Sequence, residues 1–187
     1  ELFIAGDGTK PLKYDYIDSD ELPPINYYMT SYPTWRARPN AYNAWKCHRE
    51  IFLRCKDNEN LLLLEDDSEL SSDFDEMIEK VNPFFEKNEW HMIYFGCYHH
   101  NSLNTSDENI MRMNGGGGFH GVLIRPTIRQ YLVKNYPEAT GPYDWLMGQY
   151  HQYINAYAIY PSIINQKSGF SFVEGCNLDK PPRDKLN

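Results

Sequence analysis

Basic residues are scarce in this sequence relative to acidic ones. The 187 residues include 18 Lys and Arg against 26 Asp and Glu, which gives a formal net charge of -8. Binding to nucleic acids or to anionic membrane surfaces depends on clustered Lys and Arg, so we expect neither kind of partner. An anionic small molecule could still bind if helix N-termini, backbone amides or a metal ion offset the negative field.

Paired cysteines and membrane-spanning runs are also lacking. None of the four Cys residues forms a CxxC pair. Cys47 and Cys55 fall in one predicted helix, about 12 Å apart along its axis, which is too far for a disulfide. No apolar run is long enough to span a membrane, and no signal peptide is present. We therefore expect reduced thiols and a cytoplasmic protein without a membrane span.

Several catalytic motifs are missing, whereas aromatic residues are plentiful. The sequence has no nucleophile elbow, no HExxH and no kinase motifs, which disfavours acyl transfer and zinc-dependent hydrolysis. Aromatics make up 15% of the chain, with fifteen Tyr. A Tyr-rich surface suits sugars, bases or partner proteins, although the same residues fit an ordinary core equally well.

Apolar runs and helical stripes alternate along the chain. The alternation predicts an α/β fold with a largely parallel central sheet, whose ligands bind at the carboxyl ends of strands. Strands are predicted at 2–5, 61–64, 92–95, 110–113, 119–124 and 156–160. Helices are predicted at 39–55, behind a Ser72/Asp75 capping box to residue 85, and at 126–136 and 144–153. Residues 9–34 read as a long irregular segment, and no internal repeat is present.

The most distinctive stretch is Leu61–Leu64 followed by three acids. A continuous apolar run is typical of a strand buried on both faces. In an extended chain, Glu65 and Asp67 would point to one side and Asp66 to the other. Two carboxylates on one side of a strand end suit Mg2+ or Mn2+, which could in turn hold a diphosphate. The alternative is a solvated acidic turn that caps the next helix.

Three further features are candidates for a functional site. The four glycines at 115–118 permit close approach of a ligand to the backbone, or form a flexible linker. His120, just behind them, could contact phosphate or metal, or could simply pack in the core. Asp144 could cap a helix or act as a general base. His48, on a helix face with Trp45, reads as a core histidine.

In their order along the chain, several motifs resemble those of GT-A glycosyltransferases, and within them family 25, which includes lipooligosaccharide and collagen galactosyltransferases. Glycosyltransferases of large DNA viruses that infect algae look similar too. The motifs are Phe3-Ile-Ala-Gly-Asp-Gly8, Asn43-Ala-Trp-Lys-Cys-His48, the apolar strand ending in Leu64-Glu-Asp-Asp67, Trp90-His-Met-Ile-Tyr-Phe-Gly96, Gly141-Pro-Tyr-Asp144, Ile159-Tyr-Pro161 and Gln166-Lys-Ser-Gly-Phe-Ser171. In the second motif only the His of the family's G-C-x-x-S-H is kept.

The resemblance implies transfer of a sugar, with inversion, from a nucleoside-diphosphate donor such as a UDP-sugar to a hydroxyl of a glycan or glycoprotein. Asp67 would bind Mn2+ or Mg2+ directly, while Glu65 or Asp66 would complete the metal site or contact the donor ribose. Asp7 and His120 would also contact the donor. Asp144 would be the base that deprotonates the acceptor hydroxyl.

The resemblance also implies a domain plan. The chain would form a single GT-A-like domain over 1–187, with a Rossmann-type, mostly parallel sheet flanked by helices. Residues 1–113 would bind the nucleotide sugar, 114–175 would face the acceptor, and 176–187 would be a tail. Family members begin with an I-N-L strand upstream of the first motif, so we expect that strand either to be absent or to have been trimmed from the sequence. For a viral enzyme, the cytoplasm would be that of the host.

Two other functions fit the same residues. A metal-dependent hydrolase of nucleotide sugars would use the acidic cluster with water in place of the acceptor. A non-catalytic sugar-binding module would keep the acids for structural reasons alone.

Overall fold

A computed structural model describes residues 39–99, 102–135, 142–171 and 176–178. The helices are α1 (Pro39–Arg54), α2 (Phe74–Lys87), α3 (Pro126–Asn135) and α4 (Tyr143–Tyr150), and α4 runs into a 3-10 turn at His151–Tyr153. The strands are β1 (Leu61–Leu64), β2 (Ser68–Leu70), β3 (Met92–His99), β4 (Leu103–Asn104), β5 (Ile110–Arg112), β6 (Gly116–Ile124), β7 (Ala156–Ile159), β8 (Ile164–Gln166), β9 (Gly169–Ser171) and β10 (Cys176–Leu178). The predicted strand at 2–5, the segment 9–34 and most of the tail lie outside the described residues. No described helix combines the length and apolar character needed to cross a bilayer.

Six strands form the main sheet, in the order β1-β6-β3-β7-β5-β4. The predicted α/β class is confirmed, but the expectation of a mostly parallel sheet is wrong for the described residues. Only β3 and β7 pair in parallel, while the other four neighbouring pairs are antiparallel. Helices cover both faces of this sheet, so its strands carry the apolar runs usually typical of parallel sheets. Antiparallel strands of this sheet therefore carry the continuous apolar runs that are expected of parallel strands.

Two hydrophobic clusters lie on opposite faces of the sheet. One joins α1, α3 and α4 to the sheet through residues that include Phe52, Leu132 and Leu146. The other joins α2 to the sheet through Val81 and partly buried aromatics, with Tyr157 on the strand side. The predicted helical stripes therefore mark real packing faces, as their three- and four-residue spacing indicated.

Strand β1 is one of the two edge strands of the described sheet. Leu63 is buried, but Leu62 and Leu64 are 49% and 42% exposed. The prediction that this run is buried on both faces is therefore wrong. The cluster around α2 reaches Ile93 and Leu123, and it does not include the two exposed leucines.

Helix ends are fixed differently from the sequence prediction. The predicted Ser72/Asp75 capping box is absent: Asp73 is the N-cap of α2, with no side-chain capping hydrogen bond. At the C-terminal end of α1, the buried Arg129 guanidinium donates hydrogen bonds to the carbonyls of Phe52, Cys55 and Lys56 at 2.7, 3.0 and 2.5 Å. These carbonyls belong to the unpaired end of a helix, so Arg129 satisfies acceptors that the helix itself cannot.

A second, two-stranded sheet pairs β2 with β8, with Ser68 opposite Gln166. Strand β8 packs directly on β3, where Gly96 makes room for it. A Cβ at residue 96 would lie 1.8 Å from the carbonyl oxygen of Ile164. Glycine is the only residue that permits this approach, and the approach carries Gln166 toward the carboxyl end of β1.

Candidate functional site

The acidic residues lie where several strand ends meet. β1 and β3 are both antiparallel to β6, and β3 is parallel to β7, so β1, β3 and β7 run in one direction. Their carboxyl ends share one edge of the sheet, and β6 begins at that same edge. Because β8 packs on β3 there, the edge gathers residues from five strands. The expectation that the acids sit at the carboxyl ends of co-directional strands therefore holds for these three strands.

A turn, rather than an extended strand, presents the three acids. β1 ends at Leu64, and the Ser68 N–H donates to the Glu65 carbonyl at 3.1 Å. The Lys167 N–H holds the Asp67 carbonyl at 2.8 Å, and the Ser68 hydroxyl donates to the His120 carbonyl. The turn is thus tied on one side to β8 and on the other to β6.

The side chain of Gln166 joins two of the acids. Its Nε2 lies 3.1 Å from Oε2 of Glu65 and 3.5 and 3.3 Å from Oδ1 and Oδ2 of Asp67. Its Oε1 accepts from the Tyr98 hydroxyl at 2.5 Å. Glu65 and Asp67 therefore converge on one amide nitrogen, at a half-buried position. Repulsion between the two carboxylates is offset here by an N–H donor.

Asp66 has surroundings different from those of this pair. It is exposed, and its charge acts on Cys47 of α1. The pKa of the Cys47 thiol is raised by burial first and by the Asp66 carboxylate second. A raised pKa keeps the thiol protonated, so Cys47 is not an activated nucleophile. The three acids therefore have three different surroundings.

His120 lies in the middle of β6 and is almost fully buried, 3% exposed. Its ring meets the Tyr98 ring edge to face, with 5.5 Å between centroids. Gly118 has a φ of +88°, and a Cβ there would lie 3.0 Å from the His120 ring and 3.2 Å from Tyr98. The predicted glycine run is thus part of strand β6 rather than a linker, and Gly118 makes room for two aromatic rings of the chain itself.

Asp144 contacts β6, the strand that carries the glycines, on the face opposite His120. Its Oδ2 accepts from the Gly118 N–H at 3.0 Å. It lies in the first turn of α4, whose N-cap is Pro142, so the prediction that Asp144 caps this helix is wrong. Burial lowers the pKa of His48, and the nearby Asp144 carboxylate opposes that shift. The His48 ring packs against Phe119, with 5.6 Å between centroids.

A buried pair that the sequence did not reveal lies beneath this strand. His151 Nε2 and the Tyr94 hydroxyl are 2.9 Å apart, and neither side chain is exposed. Burial lowers the pKa of His151 to about 4, partly opposed by the Gly115 backbone. The Tyr94 pKa is raised well above its usual value by burial, with Cys97 and Asp144 adding to it. A neutral His and a neutral Tyr therefore lie beneath strand β6.

The Glu65 and Asp67 carboxylates can be compared with the ligands that a divalent cation requires. Within the described part of the chain, no three His, Cys, Asp or Glu side chains cluster in a metal-binding arrangement. Mg2+, however, often binds proteins through one or two carboxylates and takes its other ligands from water and substrate phosphates. Two carboxylates that converge within 3.5 Å of one nitrogen fit that pattern.

The structure brings together three of the six predicted site residues. Glu65, Asp67 and His120 lie on one side of β6 with Tyr98 and Gln166, while Asp144 and His48 lie on the other. Asp7, the remaining predicted donor contact, lies outside the described residues. Tyr98 and Gln166 received no role from the sequence, because pairing of β2 with β8 is what places Gln166 beside the acids.

In comparisons with known proteins, no family model matches this chain, and no curated protein matches its sequence.

Proposed function

We propose that the protein is a metal-dependent glycosyltransferase that transfers a sugar from a nucleoside-diphosphate donor to a glycan hydroxyl. One observation carries the proposal. Two carboxylates, Glu65 and Asp67, converge at a sheet edge where three co-directional strands end, and a third, Asp144, is held across the glycine strand by Gly118. The motif order described above agrees with this function.

Glu65 and Asp67 would hold Mn2+ or Mg2+, which neutralises charge on a departing diphosphate when bound. Each carboxylate is placed by backbone as well as by side chain: Asp67 through the Lys167 N–H, and Glu65 through the turn that Ser68 closes. Asp66 is exposed and its charge acts on Cys47, so we assign it no part in cation binding and leave its predicted contact with the donor ribose as a proposal.

Asp144 is the general base in this proposal. The Gly118 N–H fixes its Oδ2, and we assign the proton of the acceptor hydroxyl to the second oxygen, Oδ1. Inversion requires the base and the leaving group to lie on opposite sides of the sugar, so in this proposal the sugar lies at the sheet edge where β6 begins, between Asp144 and the acidic pair.

Calorimetry with UDP and UDP-sugars, each with and without Mn2+, tests the cation assignment. We expect Asp67→Ala to weaken cation-dependent binding about tenfold or more. Asp57→Ala is the matched control, because Asp57 is an exposed acid in the turn after α1. Equal binding by Asp67→Ala and wild type would remove Asp67 from the cation site.

Product analysis tests the reaction. Asp144→Asn keeps an oxygen that can accept from Gly118, so donor binding should persist while turnover falls about a hundredfold or more. Unchanged turnover would rule out Asp144 as the base. Release of free sugar at a rate that no acceptor alters would instead identify a hydrolase.

A further inference from the structure

The Gln166 amide has an orientation that its neighbours dictate. Ionised Glu65 and Asp67 only accept hydrogen bonds, so the amide must turn its Nε2 toward them. The Oε1 atom then faces the Tyr98 hydroxyl, which donates to it. Three carboxylate oxygens lie within 3.5 Å of Nε2, so the amide nitrogen stands at the centre of the donor set.

A divalent cation between these carboxylates would compete with that amide nitrogen. The positive end of the amide dipole would face the cation, which is unfavourable at so short a range. The backbone of Gln166 cannot easily withdraw, because β8 is paired to β2 with Ser68 opposite Gln166 and packs on Gly96. The movement that admits the cation must therefore occur in the Gln166 side chain.

We propose that Gln166 is a reversible third protein ligand of the cation, and that its amide turns over when the cation binds. Rotation about the terminal torsion, which is broad and two-fold, exchanges Oε1 and Nε2. Oε1 then faces the cation, and Nε2 faces the Tyr98 hydroxyl. This inference rests on the cation site of the proposed function.

Tyr98 is suited to both states. A phenol hydroxyl can donate to the amide oxygen in one state and accept from the amide N–H in the other. Packing of the Tyr98 ring against His120 fixes the hydroxyl at the same place in both. An amide oxygen is also a hard ligand of the kind that Mg2+ and Mn2+ accept.

The proposal differs sharply from one in which the amide only holds the carboxylates apart. If Gln166 is merely a donor, its removal takes away a competitor of the cation, and cation affinity stays the same or rises. If Gln166 becomes a ligand, its removal lowers affinity. Gln166→Leu removes both amide functions at similar size, so the sign of the change in affinity decides between the two.

The experiment titrates the full chain with Mn2+, with and without UDP, by calorimetry and by the electron paramagnetic resonance of free Mn2+. We expect Gln166→Leu to bind Mn2+ about tenfold more weakly or worse. Gln130→Leu is the matched control, because the Gln130 amide lies on the surface and donates to the Asp57 carbonyl. Affinity in Gln166→Leu equal to or above that of wild type overturns the inference and leaves the cation site intact.

Gln166→Glu supplies a second readout that needs no activity. A carboxylate at 166 keeps an oxygen ligand but adds a third negative charge beside Glu65 and Asp67. Without cation, the melting temperature at pH 8 should fall below that of wild type, and Mn2+ should raise it by more than it does in wild type. An equal or smaller Mn2+ shift would contradict the proposal. Wild type that binds no Mn2+, even with UDP, would overturn the cation site and this inference together.

Discussion

Gly96 is the position where the fold and the site depend most directly on one missing atom. In Gly96→Ala the new Cβ would lie 1.8 Å from the Ile164 carbonyl oxygen and 2.7 Å from Cδ2 of His120. Backbone atoms cannot rotate away, so β8 must move from β3 by roughly 1 Å or more to reach ordinary contact. Overpacking of this kind costs about 3 kcal/mol, which lowers the melting temperature by about 6–12 °C for a chain of this size.

Thermal denaturation followed by circular dichroism measures the effect. Gly117→Ala is the matched control: it lies on the same edge of the sheet, and its Cβ would lie 3.6 Å from Oδ2 of Asp144, an ordinary contact. We expect Gly117→Ala to melt within about 2 °C of wild type. Mn2+ affinity should fall in Gly96→Ala, because displaced β8 carries Gln166 away from the acids. A melting temperature for Gly96→Ala equal to that of the control would refute the close packing of β8 on β3.

Two other predictions concern buried side chains. Arg129→Leu removes the Arg129 donor from the carbonyls of Phe52 and Cys55 and one of the two donors to the Lys56 carbonyl, so the free energy of unfolding in urea should fall by about 3 kcal/mol, and Arg129→Lys should recover part of it. His151 has a folded pKa of about 4 against an ordinary 6.5, so the unfolded chain takes up the proton more readily. The stability that the neutral His151 imidazole contributes to the fold is fully present above pH 6.5. It is lost as the pH falls toward 4, by about 3 kcal/mol in all. His151→Gln should therefore lose less stability than wild type between pH 7 and 4 in the same urea assay; an equal loss would contradict the burial of a neutral imidazole.

Helices and strand positions followed from the sequence because each depends on local spacing. The stripe in α1 and the run before the acids both match elements of the structure to within a residue or two. Strand direction did not follow, since an apolar run carries no sign of direction. β6 was predicted as a strand, but only its pairing with β1 and β3 shows that it runs against both.

The short strands β2 and β8 escaped prediction for a different reason. Each has three residues, and three residues are too few to establish an alternation. Their partner relation spans about a hundred positions in the sequence, and nothing local encodes it. Tyr98 and Gln166 owe their place beside the acids to this pairing and to Gly96, so their contribution to the site could not be read from spacing.

The different surroundings of the three acids also depend on long-range strand pairing rather than on local sequence. Strand alternation correctly separates Asp66 from Glu65 and Asp67, yet the chain at these residues is a turn, and alternation is not what separates them. The Ser68 N–H closes the turn on Glu65, and the Lys167 N–H fixes Asp67 from β8. Gln166, one residue before Lys167, then brings its amide to both carboxylates. The long-range antiparallel pairing of β2 with β8, which begins immediately after the acids, therefore fixes which two of them converge on Gln166, the side chain that we propose as a cation ligand.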